Sequence, residues 1–372
     1  MYIYQQKGWP NFNWNHAKIA DLLADVRHLQ GRLLGRMDAI GFTLKEEATL
    51  QTLTQDVMKT SEIEGENLNY DQVRSSLAKR LGINIISPVN IDRNVEGIVE
   101  ILLDATRNYG AQITKNRLFD WHAALFPTGR SGMIRITVGD WRKESGGPMQ
   151  VISGPLGREK IHYEAPSHDK LAEEMNFFIK WCNAPAEIDP VLKASIAHFW
   201  FVTIHPFDDG NGRIARAMAD LMLARSERST QRFYSMSMQI QKERKHYYNV
   251  LEQCQKGGLD ITIWIEWFLT CLKHAIEASE ETLKFVLMKA RFWEEHRDAI
   301  FNNRQKTIIN CLLDGFEEKL TSSKWAKICK CSQDTALRDI TDLITRQVLI
   351  KEDAGGRSTS YILKSNNYYL GS

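Results

Sequence analysis

Apolar residues recur every three or four positions along most of this chain, and that pattern predicts a helical protein. Ile19, Leu22, Leu23, Val26, Leu29, Leu33, Leu34, Met37 and Ile40 line one face of a helix over 16–40. Similar patterns predict helices over 45–63, 95–108, 117–125, 171–182, 190–204, 212–225, 242–255 and 261–287. The stretch 82–90 is apolar but broken by Ser87-Pro88, and predicts a boundary. Residues 132–166 leave the helical pattern. Their β-prone pieces, 134–138, 149–152 and 160–163, are punctuated by Gly-rich turns and predict one β-hairpin. Near the C-terminus, helices over 322–329 and 333–345 flank a turn at 331–333. Strands at 348–350 and 360–363 follow, joined by a turn at 354–356. Helix-turn-helix plus hairpin predicts a winged helix. The expected domains are a helical N-terminal domain over 1–88, an all-α core with a β-hairpin over 89–295, and a winged helix-turn-helix over 300–372.

Composition narrows the function classes. Of 372 residues, 43% are hydrophobic and 25% charged, as in ordinary soluble proteins. The 48 basic and 46 acidic residues leave a net charge of +2, which excludes a chain dominated by nucleic-acid electrostatics. The start of the chain lacks a basic patch followed by an apolar core, so no secretory signal is expected. The most apolar stretch, 191–204, is interrupted by Lys193 and His198 and is shorter than the roughly 20 residues of a membrane span. No membrane partner is expected. Cys182, Cys254, Cys271, Cys311, Cys329 and Cys331 form no CxxC pair, and predict reduced thiols in a cytoplasmic protein.

One segment carries chemistry: His205-Pro-Phe-Asp-Asp-Gly-Asn-Gly-Arg-Ile-Ala-Arg216. Pro206 forces His205 out of helical geometry. A tight loop, 209–212, then opens a new helix. Glycines before a helix let backbone N–H groups approach an anion, and the helix N-terminus adds positive potential. Arg213 and Arg216, three apart, share a face and suit a polyphosphate. Asp208 and Asp209 offer hard oxygen ligands for Mg²⁺. His205 can take a proton near neutral pH. The residues alone therefore predict Mg²⁺-nucleotide binding with a general base.

This segment resembles the Fic family, whose pattern is His-x-Phe-x-Asp/Glu-Gly-Asn-Gly-Arg-x-x-Arg. Every fixed position matches. Fic domains are helical, and most transfer AMP from ATP to a protein hydroxyl. The resemblance implies that His205 deprotonates a Ser, Thr or Tyr hydroxyl of a target protein and that Asp209 holds Mg²⁺. It implies that Gly210, Asn211 and Gly212 form the phosphate nest, with Arg213 and Arg216 on the outer phosphates. The 132–166 hairpin resembles the Fic flap, which clamps the target chain; Val151, Ile152, Ser153 and Gly154 would belong to it. Gly139-x-Trp141-Arg142 and Tyr163-Glu-Ala-Pro166 look like its flanks. Tyr247-Tyr248 and Gln255 resemble the stretch that holds adenine and ribose. Upstream, Thr60-Ser-Glu-Ile-Glu64-Gly65 resembles an inhibitory motif in which the Glu pairs with the second motif arginine; Glu64 would then restrain Arg216. The same Glu can serve AMP removal in some relatives. The opening 9–14 looks like a domain often fused to bacterial Fic cores. Implied substrates are ATP with Mg²⁺, a target protein and the chain itself. A homodimer is compatible with all of this.

Plainer roles stand beside these. His198 fits a satisfied core histidine. Asp208, at a variable position of the pattern, fits a turn residue. Tyr247 and Tyr248 could be core aromatics, and Trp264, Trp267 and Phe268 form a packing stripe. Between 319 and 364, nine Lys/Arg stand against five Asp/Glu, a surplus of four. Arg338, Arg346 and Arg357 would attract DNA phosphates, whereas Asp334, Asp339 and Asp342 would repel them, so DNA and protein remain alternative partners of the winged helix. The competing function is a DNA-binding regulator that uses the Fic core as a nucleotide sensor.

Overall fold

The computed structural model describes residues 1–372 except 39–41, 84–88, 145–146, 155–156, 159, 186, 314–315, 317–318, 353–358 and 365–372. It describes the backbone alone at 42–44, 281, 282, 284, 285, 287 and 290. The chain divides into two compact units, Met1–Ser279 and Glu280–Ser372.

The first unit begins with three helices, α1 (His16–Asp38), α2 (Phe42–Ile63) and α3 (Tyr70–Leu81). On α1 the buried positions are Ile19, Val26, Gln30, Leu33 and Met37, whereas Leu22, Leu23, Leu29 and Leu34 are half-buried. The apolar face is therefore narrower than the sequence pattern. Helix α3 falls in a stretch with no apolar periodicity, because its buried face includes Ser75, Ser76 and Ala78 beside Val73 and Leu77. Its ends are well specified: the Asn69 side chain accepts from Gln72 N, and Gly82 closes it with φ 75°. The expected boundary at 82–90 falls largely on 84–88, outside the described residues, as does position 40 of the first helical pattern.

Helices α4 (Arg93–Arg107) and α5 (Lys115–Leu125) follow, then the strands β1 (Arg130–Ser131), β2 (Ile134–Arg135), β3 (Gln150–Ser153) and β4 (Lys160–Glu164). These strands make two hairpins where one was expected. Gly132, at φ 53°, turns the chain at once, so Ile134 pairs with Ser131 and Arg135 with Arg130. Residues 136–138 form no strand. The second hairpin pairs Gln150 with Glu164 and Val151 with Tyr163. A bulge after Val151 shifts Ile152 onto Ile161 and Ser153 onto Lys160. Positions 155 and 156 of its tip lie outside the described residues.

Then come α6 (Leu171–Asn183), α7 (Pro190–Ile204), α8 (Asn211–Glu227), α9 (Met236–Lys242), α10 (Arg244–Gln255) and α11 (Thr262–Glu295), the last continuing past Ser279. Helix α7 is buried from Val191 to Ile204 without a break. That is why it shows an apolar run and no amphipathic stripe. Asp189 accepts from Val191 N and Pro190 occupies the first turn. The one lysine in it, Lys193, donates to Ala184 O at 2.6 Å. Helix α8 packs along α7. Helix α2 packs against α3, α9, α4 and α8, so the expected 1–88 region and the core share one compact unit.

The second unit holds the end of α11 with α12 (Asn303–Leu313), α13 (Ser322–Ile328), α14 (Gln333–Thr345), β5 (Leu349–Lys351) and β6 (Tyr361–Leu363). Phe292, Ile308, Ile309, Trp325, Ile340, Leu343 and Leu349 form its core. Thr321 and Ser332 cap α13 and α14, and β5 pairs with β6 in antiparallel register. The expected turn at 354–356 and Arg357 lie outside the described residues. Asp339 does not face outward as expected. It is buried and accepts from Arg304 Nε at 2.6 Å, Arg304 Nη2 at 3.1 Å and Asn302 Nδ2 at 2.9 Å. Asp342 accepts from Gln305 Nε2 at 2.7 Å and from Arg346 Nη1 at 3.3 Å.

Candidate functional site

The loop between α7 and α8 is built by three backbone decisions. Pro206 ends α7, and His205 takes a left-handed conformation, φ 52° and ψ 58°. Gly210, at φ 80°, precedes α8, and a Cβ there would stand 2.9 Å from Phe126 Cε2. Asn211 closes the loop on itself: Oδ1 accepts from Phe207 N at 3.0 Å and Nδ2 donates to Phe207 O at 2.8 Å. Phe207 is buried and stacked on His122, with ring centroids 4.1 Å apart.

His205 Nδ1 lies 3.2 Å from Val202 O. Donation there leaves Nε2 with a free lone pair. Burial pulls its pKa down to about 4, so the ring is neutral at pH 7. Arg142 holds the residue in place. Its Nε donates to His205 O at 2.8 Å, its Nη2 to Pro166 O, and its backbone N to Pro206 O at 2.9 Å. Asp209 is oriented on both oxygens, accepting from Gly210 N at 2.6 Å through Oδ1 and from Ser131 Oγ through Oδ2. Its peptide oxygen lies 3.2 Å from His122 Nε2, and Gly139 N donates to His122 Nδ1 at 3.3 Å. His122 is thus fixed as the Nε2–H tautomer, and burial pulls its pKa to about 4. Asp208 is more than a turn residue: its Oδ2 accepts from Thr137 N at 2.8 Å and ties down the segment after β2.

The two motif arginines are buried and each meets a carboxylate from the turn after α2. Arg216 donates through Nε to Thr60 Oγ1 at 2.7 Å and through Nη2 to Thr60 O at 3.0 Å and Glu64 Oε1 at 2.8 Å. Arg213 Nη1 donates to Glu66 Oε2 at 2.8 Å, with its guanidinium 5.1 Å from the Phe126 ring centroid. Glu64 also lies against the start of α8: a Cβ on Gly212 would stand 2.2 Å from Glu64 Oε1. Only glycine admits an anionic oxygen so close to that backbone.

Tyr247 is buried among Trp264 and Trp267, and its hydroxyl lies 3.0 Å from His198 Nε2. His198 is thus a core histidine as expected, but satisfied on Nε2 alone, since its Nδ1 is buried without a partner among the described residues. Tyr248 is 37% exposed, and its ring centroid lies 5.0 Å from that of Tyr247. Gln255, at the end of α10, is buried and donates to Thr203 Oγ1 of α7 at 3.3 Å. The β3–β4 hairpin joins the site through Tyr163, whose hydroxyl donates to Thr203 O at 2.7 Å. Val151 is half-buried, while Ile152, Ser153 and Gly154 are exposed. His162 links the hairpin to α10, with Nε2 2.6 Å from Ser153 Oγ and Nδ1 2.6 Å from Glu252 Oε2.

The arrangement fits an anionic ligand with one divalent cation. Arg213 Nε and Arg216 Nη1 are buried donors with no protein partner. Among the described residues no group of three or more His, Cys, Asp or Glu could cage a metal. A lone oriented carboxylate such as Asp209 matches the habit of Mg²⁺, which takes one or two carboxylates and fills its shell from phosphates and water. Ser131, His122 and Glu66 escaped the sequence reading. Each acts through tertiary contact with no local pattern to mark it.

Residues 112–223 match the family model described as the Fic/DOC family, and residues 2–83 match that of a domain of unknown function (DUF4172). A protein of Aedes aegypti named protein adenylyltransferase Fic is 25% identical over 270 residues, covering 68% of this chain and 48% of the relative. One of Nematostella vectensis with the same name is 33% identical over 115 residues, or 30% of this chain and 25% of the relative. The chain thus spans about half the length of the Aedes relative. In fold it is similar to a Fic family protein from Desulfovibrio desulfuricans G20, with TM-score 0.53 and 18% identity over 95% of this chain and 98% of the other. It is similar also to a Fic domain containing signaling protein from Bacteroides thetaiotaomicron, with TM-score 0.52 and 16% identity over 70% and 98%.

Proposed function

We propose that this chain, whose residues 112–223 form a Fic/DOC domain, is a protein adenylyltransferase restrained by its own Glu64. The observation that carries this reading is the convergence of Glu64, Gly212 and Arg216 at the start of α8. A carboxylate oxygen occupies the place that suits a phosphate oxygen. In the reaction the phosphates of ATP lie on the α8 N-terminus, with Arg213 and Arg216 on the outer ones. A Ser, Thr or Tyr hydroxyl attacks the α-phosphorus. The new O–P bond forms as the bond to the β-phosphate bridging oxygen breaks, the hydroxyl proton passes to His205 Nε2, and pyrophosphate leaves. Arg142, through His205 O, and Asn211, through Phe207, keep base and cradle in register. Asp209 would hold Mg²⁺, which supplies charge neutralisation at the phosphates when bound. Glu64 seated on Arg216 leaves a bound nucleotide misplaced, and it is also the group that would position water for AMP removal. The exposed β3–β4 hairpin is read as the target clamp, with Tyr248 as the solvent-facing adenine contact and Tyr247 and Gln255 as its support.

The second unit is read as a winged helix with α14 in the recognition position. The exposed side chains of α14 include Asp334, Leu337, Arg338 and Thr341. The inward turn of Asp339 removes one acidic residue from that face and favours retaining the second reading, a DNA-binding regulator whose Fic/DOC domain senses nucleotide. The buried thiols Cys182, Cys254 and Cys271 suit a cytoplasmic location. Incubation with labelled ATP and Mg²⁺ separates enzyme from sensor. The enzyme incorporates AMP into itself or a lysate protein, and His205→Ala binds ATP but loses transfer by about 10²–10⁴-fold. Equal incorporation by His205→Ala would remove the assigned base. ATP binding without incorporation in any variant, Glu64→Gly included, would leave the sensor.

A further inference from the structure

We propose that Glu66 is a second gate on nucleotide entry, separate from Glu64, and that its carboxylate moves between two arginines, Arg213 and Arg130. The proposal rests on reading the α8 N-terminus as a nucleotide cradle.

The turn after α2 makes the gate. Ser61 O accepts from both Glu64 N and Glu66 N at 3.0 Å, and Gly65 takes φ 83° between them. This compact turn sends both carboxylates to α8, where each takes one motif arginine at 2.8 Å. The two pairs differ in kind. Arg216 is held by Thr60 as well as by Glu64. Glu66 holds Arg213 at one atom, and its side chain is 49% exposed although that of Arg213 is 5% exposed. A half-solvated carboxylate can leave without unfolding its turn. Arg213 stays where it is, enclosed and stacked over Phe126.

A cavity of about 210 Å³ gives the displaced carboxylate a destination. Glu66 and Arg213 line it, and so do Arg130 and Asn94. Arg130 brings a second guanidinium, oriented by donation from Nη1 to Met133 O at 2.9 Å. With Glu66 on Arg213, an incoming phosphate meets an occupied guanidinium and a negative charge. With Glu66 on Arg130, the guanidinium is free. Glu66 therefore acts on how tightly nucleotide binds, whereas Glu64 acts on how the bound nucleotide is oriented.

The test is a double-mutant cycle on the full chain, read by calorimetry with Mg·ATP. Removing one partly solvated ion pair, Glu66→Gln should tighten ATP binding about fivefold. Arg130→Gln should weaken it, because Glu66 then has no second seat. The double variant should match Glu66→Gln alone. In a Glu64→Gly background, Glu66→Gln should lower the KM for ATP and leave kcat for AMP incorporation unchanged. Unaltered ATP affinity in Glu66→Gln, beside increased AMP incorporation in Glu64→Gly, would overturn the gate and spare the function. Additive effects of the two substitutions would overturn the movement to Arg130. Absence of ATP binding in every variant, including Glu64→Gly, would overturn the cradle and the gate together.

Discussion

Glu64 and Arg216, 152 positions apart in sequence, meet at 2.8 Å between Oε1 and Nη2. The arginine is buried and the glutamate side chain is 30% exposed, so the pair joins the end of α2 to the first turns of α8. A charge-assisted bond of this kind contributes about 1.5–3 kcal/mol, which corresponds to about ten- to a hundredfold in occupancy.

Glu64→Gly should therefore raise AMP incorporation by at least about tenfold, with kcat changing more than ATP affinity. It should also abolish any AMP-removing activity the chain has, because the same carboxylate would serve that reaction. Arg216→Ala should not mimic the activation, since the arginine serves ATP once Glu64 is gone. Incorporation measured over a range of ATP concentrations decides this, and wild-type rates in Glu64→Gly would discard the restraint.

Gly212→Ala probes the same place from the opposite side. Its methyl group would collide with Glu64 Oε1 and would equally obstruct a phosphate oxygen. ATP affinity should drop in the wild type and in the Glu64→Gly background alike. An alanine variant that binds ATP normally once Glu64 is removed would move the phosphates off this helix start.

Acid should weaken the first unit through three of its histidines. Burial holds His122 and His205 near pKa 4 and His198 near 3, against about 6.5 in an unfolded chain. Between pH 7 and 5 the unfolded state therefore binds more protons, and stability falls as pH falls, by up to about 1.4 kcal/mol per pH unit for each histidine. Asp220 works in the opposite direction, since burial raises its pKa to about 7. The difference between His198→Gln and wild type isolates one contribution: the Tm of the variant should depend less steeply on pH over that range. Parallel Tm profiles would show that His198 titrates alike in both states.

In the second unit, Asp339→Ala should destabilise α12 and α14 together. It strips Arg304 of two hydrogen bonds and Asn302 of one, at a buried carboxylate. A cost of about 2 kcal/mol is expected. Hydrogen exchange in peptides spanning 303–345 should quicken, and exchange at wild-type rates would make that network dispensable.

The motif from His205 to Arg216 was legible because its chemistry is written in consecutive residues. Pro206 ends one helix and glycines open the next, and the structure places both events there. Glu64 could be paired with Arg216 through its resemblance to a known motif. Glu66, Ser131 and His122 could not be found that way. Their partners stand 147, 78 and 87 positions away, and nothing periodic marks them. Helix α3 was missed because small polar residues fill its buried face. The single expected hairpin became two because Gly132 reverses the chain within two residues of Ser131. Asp339 reads as a surface charge until Arg304 is seen beside it.

The ring that Asn211 closes on Phe207 has a chemical consequence as well as a geometric one. Asn211-Gly212 is the dipeptide most prone to spontaneous deamidation, in which the glycine nitrogen attacks the asparagine side-chain carbonyl. In the folded protein that carbonyl is pinned by Phe207 N, and its amide group by Phe207 O. Deamidation would replace the donor facing Phe207 O with a carboxylate oxygen and open the ring. The folded state therefore protects its own motif from ageing, and a chain that dwells unfolded loses the cradle by covalent change that refolding does not reverse.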